Sequence, residues 1–286
     1  MGYTIFISVR FCFCLLPFSS SIPHPCRKDQ SISLLKFKQT LTIDHLTAYN
    51  CNCQKPYTKM SSWNMSRDCC SWVGVIHDEM TGHVVELDLH CSQHFGVINS
   101  NSSLFQLSHL KKLDLSYNYF YGSHISAKFD RKIPSEISHL FKLQSVRHLS
   151  TAHYTLSFKA HDFKLLPQDL NHLRELHLYE VNISSTSPLN FSSHLTTLTL
   201  GGTGLYGIIP ESYLTSQQYL SLTDRSLRGP IPESLSNLTS IESLFLSQNS
   251  LNGTIPSGMF SFPSLIYLRL NNNHFSGQVD DFKSNY

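Results

Sequence analysis

The chain of 286 residues carries 22 Lys and Arg against 20 Asp and Glu, a formal net charge of +2. Only 15% of its residues are charged, against roughly 25% in an average soluble domain. Such a surface offers no polyanion-binding field, which argues against nucleic acid as a partner.

Residues 1–23 carry one positive charge at Arg10, an apolar stretch from Phe11 to Phe18 and small residues at Ser19 to Ser21. This outline predicts a secretory signal peptide, cleaved near Ser20 to Pro23, that takes Cys12 and Cys14 with it. Its apolar core is too short for a bilayer, which needs about 20 residues, and no transmembrane segment is read in the rest of the chain.

Residues 24–83 hold most of the remaining cysteines: Cys26, Cys51, Cys53, Cys69 and Cys70, with Cys91 just beyond. Six cysteines crowded behind an export signal predict a disulfide-bonded N-terminal cap. Zinc is the competing reading, disfavoured because the spacings are not of the CxxC…CxxC kind. Six Asn-x-Ser/Thr sequons, at Asn64, Asn101, Asn182, Asn190, Asn237 and Asn252, predict an N-glycosylated extracellular surface.

From residue 84 to 286 the sequence repeats itself, in about eight copies of which one is degenerate. The stretches starting at Leu238 and Phe262 align as L-x-x-L-x-x-L-x-L-x-x-N-x-L-x-G-x-I-P. The L-x-L pairs stand at Leu87/Leu89, Leu113/Leu115, Leu176/Leu178, Leu198/Leu200, Leu220/Leu222, Leu244/Leu246 and Leu268/Leu270, with unbroken offsets of 26, 22, 22, 24 and 24 residues. That is a leucine-rich repeat period.

The expected fold is α/β: a right-handed leucine-rich repeat solenoid with short parallel strands on its concave face. Each pair makes a strand with leucines on one face, and only stacking buries them. Asn118, Asn249 and Asn273 follow the last strand leucine by three residues, where an amide can serve turn backbone groups. Gly-x-Ile-Pro, as in Gly229 to Pro232 and Gly253 to Pro256, turns the chain onto a convex side of extended or 3₁₀ backbone.

Chemistry is sparse. A literal G-x-G-x-x-G at Gly202, Gly204 and Gly207 follows a strand, but Ile208-Ile209-Pro210 continues the repeat where a dinucleotide site needs a helix. The 16 histidines fall in no Cys/His or Ser/His/Asp arrangement. No cofactor and no enzymatic activity are expected.

What remains is surface. The residues flanking the strand leucines point outward in rows from repeat to repeat. Tyr219, Phe245 and Tyr267 beside Arg269 form the patch richest in binding-prone residues, with His177 further along the second row. The equally weighted alternative is that these side chains only pack on one another across adjacent strands.

The Gly-x-Ile-Pro variant resembles the plant extracellular class of leucine-rich repeats. Plant ectodomains of this class begin with a cap of the form W-x(5)-CCSW-x-GV-x-C, matched by Trp63, Cys69, Cys70, Ser71, Trp72, Gly74 and Val75. The resemblance implies two separate cap disulfides, but His77 occupies the position of the next cysteine, so one of the vicinal thiols loses its usual partner.

KDQ at 28–30, DCCSW, NSSLFQL at 101–107, IPSEISHL at 133–140 and LNFSSHLTTL at 189–198 together resemble the tomato Cf-type receptor-like proteins. This resemblance implies a pathogen-derived or endogenous protein or peptide ligand, an adaptor receptor kinase as signalling partner, and a location outside the cell at the plasma membrane.

Two departures stand out. Between Leu115 and Ile133 lie 18 residues where intact copies use nine, which reads as a join across a lost repeat or as a long loop. After Gly277 the chain runs to Tyr286 without further repeats. A soluble inhibitor of a microbial wall-degrading enzyme, resembling the polygalacturonase-inhibiting proteins, and a non-functional truncated receptor fragment are the rival readings.

Overall fold

The computed structural model describes residues 24–43, 57–98, 101–120, 123–125, 140–144, 156–158, 163, 173–183, 194–211, 216–223 and 226–278. The leader, Cys51, Cys53, Asn190 and the join around Ile133 lie outside them. Among the described residues, no helix is long and apolar enough to cross a membrane.

The seven L-x-L pairs lie within one sheet of nine strands. From the far end these are Tyr267–Arg269, Ser243–Phe245, Tyr219–Ser221, Thr197–Thr199, Glu175–Tyr179, Leu140–Gln144, Lys112–Asp114 and Val84–Asp88, all parallel. Val75–His77 closes the cap end antiparallel to Val84–Asp88. Register is set leucine against leucine: Leu176, Leu198, Leu220, Leu244 and Leu268 stand side by side. The first four are essentially shut off from water, so a register slip of one residue would turn every strand leucine outward.

One strand was not legible as an L-x-L pair. Leu140–Gln144 places Phe141 between Leu113 and Leu176, and Leu143 beside Leu178. An F-x-L pair therefore fills the interval between Leu115 and Leu176.

Asparagines lock the turns as expected. Asn249 Nδ2 donates to Leu222 O of the preceding coil at 2.8 Å and to Leu246 O of its own at 3.2 Å, while its Oδ1 accepts from Leu227 N at 3.2 Å. Asn118 bonds Leu89 O and Leu115 O in the same way, and Asn273 bonds Leu246 O and Leu270 O. Where the asparagine is missing, Thr203 Oγ1 donates to Leu200 O of its own coil. The residue before the asparagine is left-handed, with φ of 57° at Tyr117 and Gln248 and 56° at Asn272; Gly202, at 67°, holds the equivalent place. The glycine motif is thus partly turn geometry.

Past each turn a second, lateral sheet runs through Arg228–Pro230, Ser250–Gly253 and His274–Phe275. Among the described residues, the convex side carries 3₁₀ turns at Ser103–Gln106, Glu233–Asn237 and Ser257–Ser261, the last two entered from Pro232 and Pro256. The α-helix Lys28–Gln39 belongs to the cap.

The cap seals the first coil. Leu34, Phe37, Met60 and Trp63 are buried, Trp63 stacks on Trp72 with centroids 5.5 Å apart, and Trp63 Nε1 donates to Val73 O at 3.0 Å. Gln30 Oε1 accepts from the first-repeat amide Val84 N. The extended arm Leu41–Ile43 pairs antiparallel with His94–Gly96 of the first repeat.

The opening cysteines resolve as one bridge and one thiol. Cys26 bonds Cys69, and Cys91 is also disulfide-bonded. Cys70, expected in the disulfide cap, carries a free thiol instead, in keeping with His77 at the place of its usual partner. Asp68 organises the group: its Oδ1 accepts from Cys26 N at 3.1 Å and Cys70 N at 3.0 Å. Partial burial pushes the Asp68 carboxyl up, but hydrogen bonds from Cys70 and Cys26 outweigh this and hold it below its ordinary value. Burial and the Asp68 carboxylate push the Cys70 thiol up to about 11. Asp68 lies beside the sulfurs of Cys26 and Cys69, which are bonded to each other and so offer no thiolate pair to a metal.

Three outcomes are expected. Asn249→Ala orphans buried backbone groups of two coils and should lower the unfolding free energy by about 2 to 4 kcal/mol in denaturant titration; Asn273→Ala, at a half-exposed turn, should cost clearly less.

Burial, with the Lys38 charge adding to it, pushes His94 down from 6.5 to about 4. The unfolded chain therefore binds a proton that the folded chain refuses. This contribution to stability is full above about pH 6.5 and is lost as the pH falls towards about 4, up to about 3 kcal/mol. His94→Gln should flatten the dependence of Tm on pH across that window.

Iodoacetamide should alkylate Cys70 about a hundredfold more slowly at pH near 8 than a cysteine at its ordinary pKa, because the thiolate is the nucleophile. Asp68→Asn should speed the reaction.

Candidate ligand-binding face

The residues between and before the strand leucines stand in two rows along the concave sheet, and the strand registers fix which side chains meet. The first row includes Glu86, Lys112, Glu175, Thr197, Tyr219, Ser243 and Tyr267; the second includes Asp88, Asp114, His177, Thr199, Ser221, Phe245 and Arg269.

At the cap end the rows are charged and internally paired. Lys112 Nζ lies 3.0 Å from Glu86 Oε1, and Lys59 Nζ reaches Asp88 Oδ1 at 2.8 Å. Asp114 accepts from Ser116 N at 2.9 Å.

At the far end the face is aromatic. Tyr219 and Phe245 meet at 5.3 Å between centroids, tilted by 54°, and the Arg269 guanidinium lies over the Phe245 ring at 5.1 Å. Cross-strand packing and an exposed patch are therefore both present: Phe245 is the shared platform, while Tyr219 and Tyr267 keep 36% and 57% of their surface open. Burial pushes the Tyr219 hydroxyl up, offset in part by Arg269, so the phenol stays protonated and able to donate.

His177 is not brought into this patch. It lies in the same row as Phe245 but three strands away, roughly 14 Å at the usual strand spacing. Its Nε2 is 3.6 Å from Glu175 Oε2. Beside it stands Tyr179, 43% exposed, which was not singled out from the sequence. Its ring crosses Gly201, where an added Cβ would come within 2.9 Å of Tyr179 Cε2. A glycine directly after a strand leucine was the available signal for that aromatic.

The described sequon asparagines Asn64, Asn101, Asn182, Asn237 and Asn252 are all exposed. None stands on a concave strand. Asn237 ends a convex 3₁₀ turn and Asn252 lies on the lateral sheet.

The arrangement presents flat apolar rings, a guanidinium fixed over one of them and phenolic hydroxyls on a rigid sheet.

The family described as Leucine rich repeat N-terminal domain matches residues 27–76, and Leucine Rich Repeat matches residues 109–140 and 240–262. The chain is 47% identical over 243 residues to Receptor-like protein Cf-9 of Solanum pimpinellifolium, covering 77% of this chain and 28% of that protein. It is 48% identical over 231 residues to Receptor-like protein 9DC1 of the same species, covering 73% and 26%. The chain thus spans about a quarter of the length of the curated relatives it matches.

Among solved structures, it superposes on the Arabidopsis receptor kinase HAESA, crystallised with the peptide hormone IDA and the co-receptor SERK1. The TM-score is 0.62 at 24% identity, over 88% of this chain and 43% of that one. That likeness speaks for the fold. Taken with the capped solenoid, the identities place the chain in the plant leucine-rich repeat receptor-like protein family, of the Cf-9 type, where it corresponds to part of the repeat region.

Proposed function

We propose that this chain is the ligand-recognition part of an immune receptor-like ectodomain, exposed to the extracellular space, that holds a protein or peptide without chemical change. The observation that carries the reading is the exposed aromatic patch. Tyr219 and Tyr267 flank a Phe245 ring already fixed by Arg269. Aromatic side chains and arginine dominate binding energy at interfaces, and side chains immobilised in advance lose little entropy on binding.

An extended segment laid across the strands covers about 3.3 Å per residue, so four or five residues reach from Phe245 to the His177 and Tyr179 pair. The charged cap end is internally paired and adds little. Glycans at the exposed sequons sit off the concave strands and leave this path open. Kinship with the Cf-9 type supports the immune role, with signalling passed to an adaptor receptor kinase.

The test uses the chain secreted from plant cells with photo-reactive p-benzoylphenylalanine in place of Tyr267, mixed with extracellular fluid from infected or uninfected leaves. A discrete adduct is expected from position 267 and not from the same probe at position 252 on the lateral sheet. Arg269→Ala, introduced beside the probe at position 267, should weaken that capture about tenfold or more while leaving Tm unchanged. Equal labelling from both positions sinks the proposal.

A further inference from the structure

A second, separate binding site is suggested by the cap. Where the helix Lys28–Gln39, the arm Leu41–Ile43, the turn Lys59–Ser62 and the first-repeat strand His94–Gly96 converge, they leave a pocket of about 600 Å³. Its walls are mainly apolar, with Leu35, Leu41, Ile43 and Met60 supplying much of the surface. Size and lining fall in the range of small-molecule sites, which are apolar with a few placed polar groups.

Two such groups are present. His94 forms part of the wall, is 97% buried, and its Nε2 has no hydrogen-bond partner. A buried polar atom left unpaired destabilises a fold, yet His94 is held in place by its backbone, through His94 N to Asn118 Oδ1 at 3.0 Å. Lys38 also lines the pocket. Its Nζ donates to Trp63 O at 2.8 Å, which uses one of the three N–H groups of an ammonium and leaves two.

An apolar chamber with an ammonium at its wall and an unserved imidazole nitrogen fits an apolar body bearing one anionic head. We propose that this pocket binds a small amphipathic monocarboxylate, its carboxylate taking hydrogen bonds from Lys38 Nζ and His94 Nε2–H and its apolar body lying against Leu35, Leu41, Ile43 and Met60. A neutral polar head does not draw on the Lys38 charge, and a dianion leaves one charge in the apolar part. The site is independent of the concave patch, which lies at the other end of the sheet.

The same chemistry is offered by fatty-acyl and by aromatic acids, and the experiment separates them. Decanoate and cinnamate are titrated calorimetrically into the secreted, purified chain, with their methyl esters as controls. Saturable one-to-one binding of either acid is expected, with the ester weaker by about tenfold or more, as for loss of a charge-assisted hydrogen bond. Binding of decanoate alone identifies a fatty-acyl ligand class, and binding of cinnamate alone an aromatic one.

Lys38→Met should reduce affinity for the acid to that for the ester. Leu35→Trp, which fills the chamber, should abolish binding without lowering Tm. Failure of both acids to saturate the folded chain, or an ester that binds as well as its acid, overturns the proposal whatever the variants do.

Discussion

The side-chain amide of Asn249 is tied at once to its own coil and to the one before it, and the rest of the solenoid depends on bonds of this kind. A single coil has too few apolar atoms to hold its leucines out of water, so each coil is stable only against its neighbours. The amide, and strand bonds such as Leu246 N to Arg269 O, convert a row of marginal coils into one sheet. Because the leucines and asparagines carry the stacking, the residues between them are released from structural duty. Binding chemistry can vary there without disturbing the fold.

That freedom is used differently at the two ends of the sheet. Near the cap, charges satisfy one another: Lys112 with Glu86, Lys59 with Asp88. The half-exposed Lys112–Glu86 pair adds little stability, Lys59 is buried in its pair with Asp88, and together they leave little charge unmatched for a ligand. Further along, the small residues Thr197, Thr199 and Ser221 separate Glu175 and His177 from the aromatic group. The face therefore reads as two contact points joined by a smooth floor, a shape suited to an extended segment running across the strands.

The repeat period, the leucine pairs, the asparagine turns and the 3₁₀ convex side were legible because each follows from spacing alone. Phe141 and Leu143 were not: phenylalanine at the first leucine position, with no asparagine three residues past Leu143, breaks the pattern while the strand still pairs. At the concave site, Tyr219, Phe245 and Arg269 were legible as neighbours because parallel register puts equal positions side by side. Tyr179 was missed because its position after the second leucine was not read as part of the face. The pocket at His94 had no local signal, since it is assembled from four segments spread from Leu35 to His94.

The cap shows why a missing bridge is tolerable. In the loop-entropy view, Cys26 and Cys69, 43 residues apart, contribute about 4 kcal/mol, whereas a bridge from Cys70 to position 77 would close a short loop and contribute only about 2 kcal/mol. The bridge retained is the one with more to give. The segment around Cys70 is anchored by other means: Asp68 holds the amides of Cys26 and Cys70 together, and Trp72, two residues on, is buried against Trp63. Burial and the same carboxylate together keep the Cys70 thiol protonated. A free thiol one residue from a disulfide invites exchange only as the thiolate, so Asp68 both secures the cap backbone and helps protect the Cys26–Cys69 bridge.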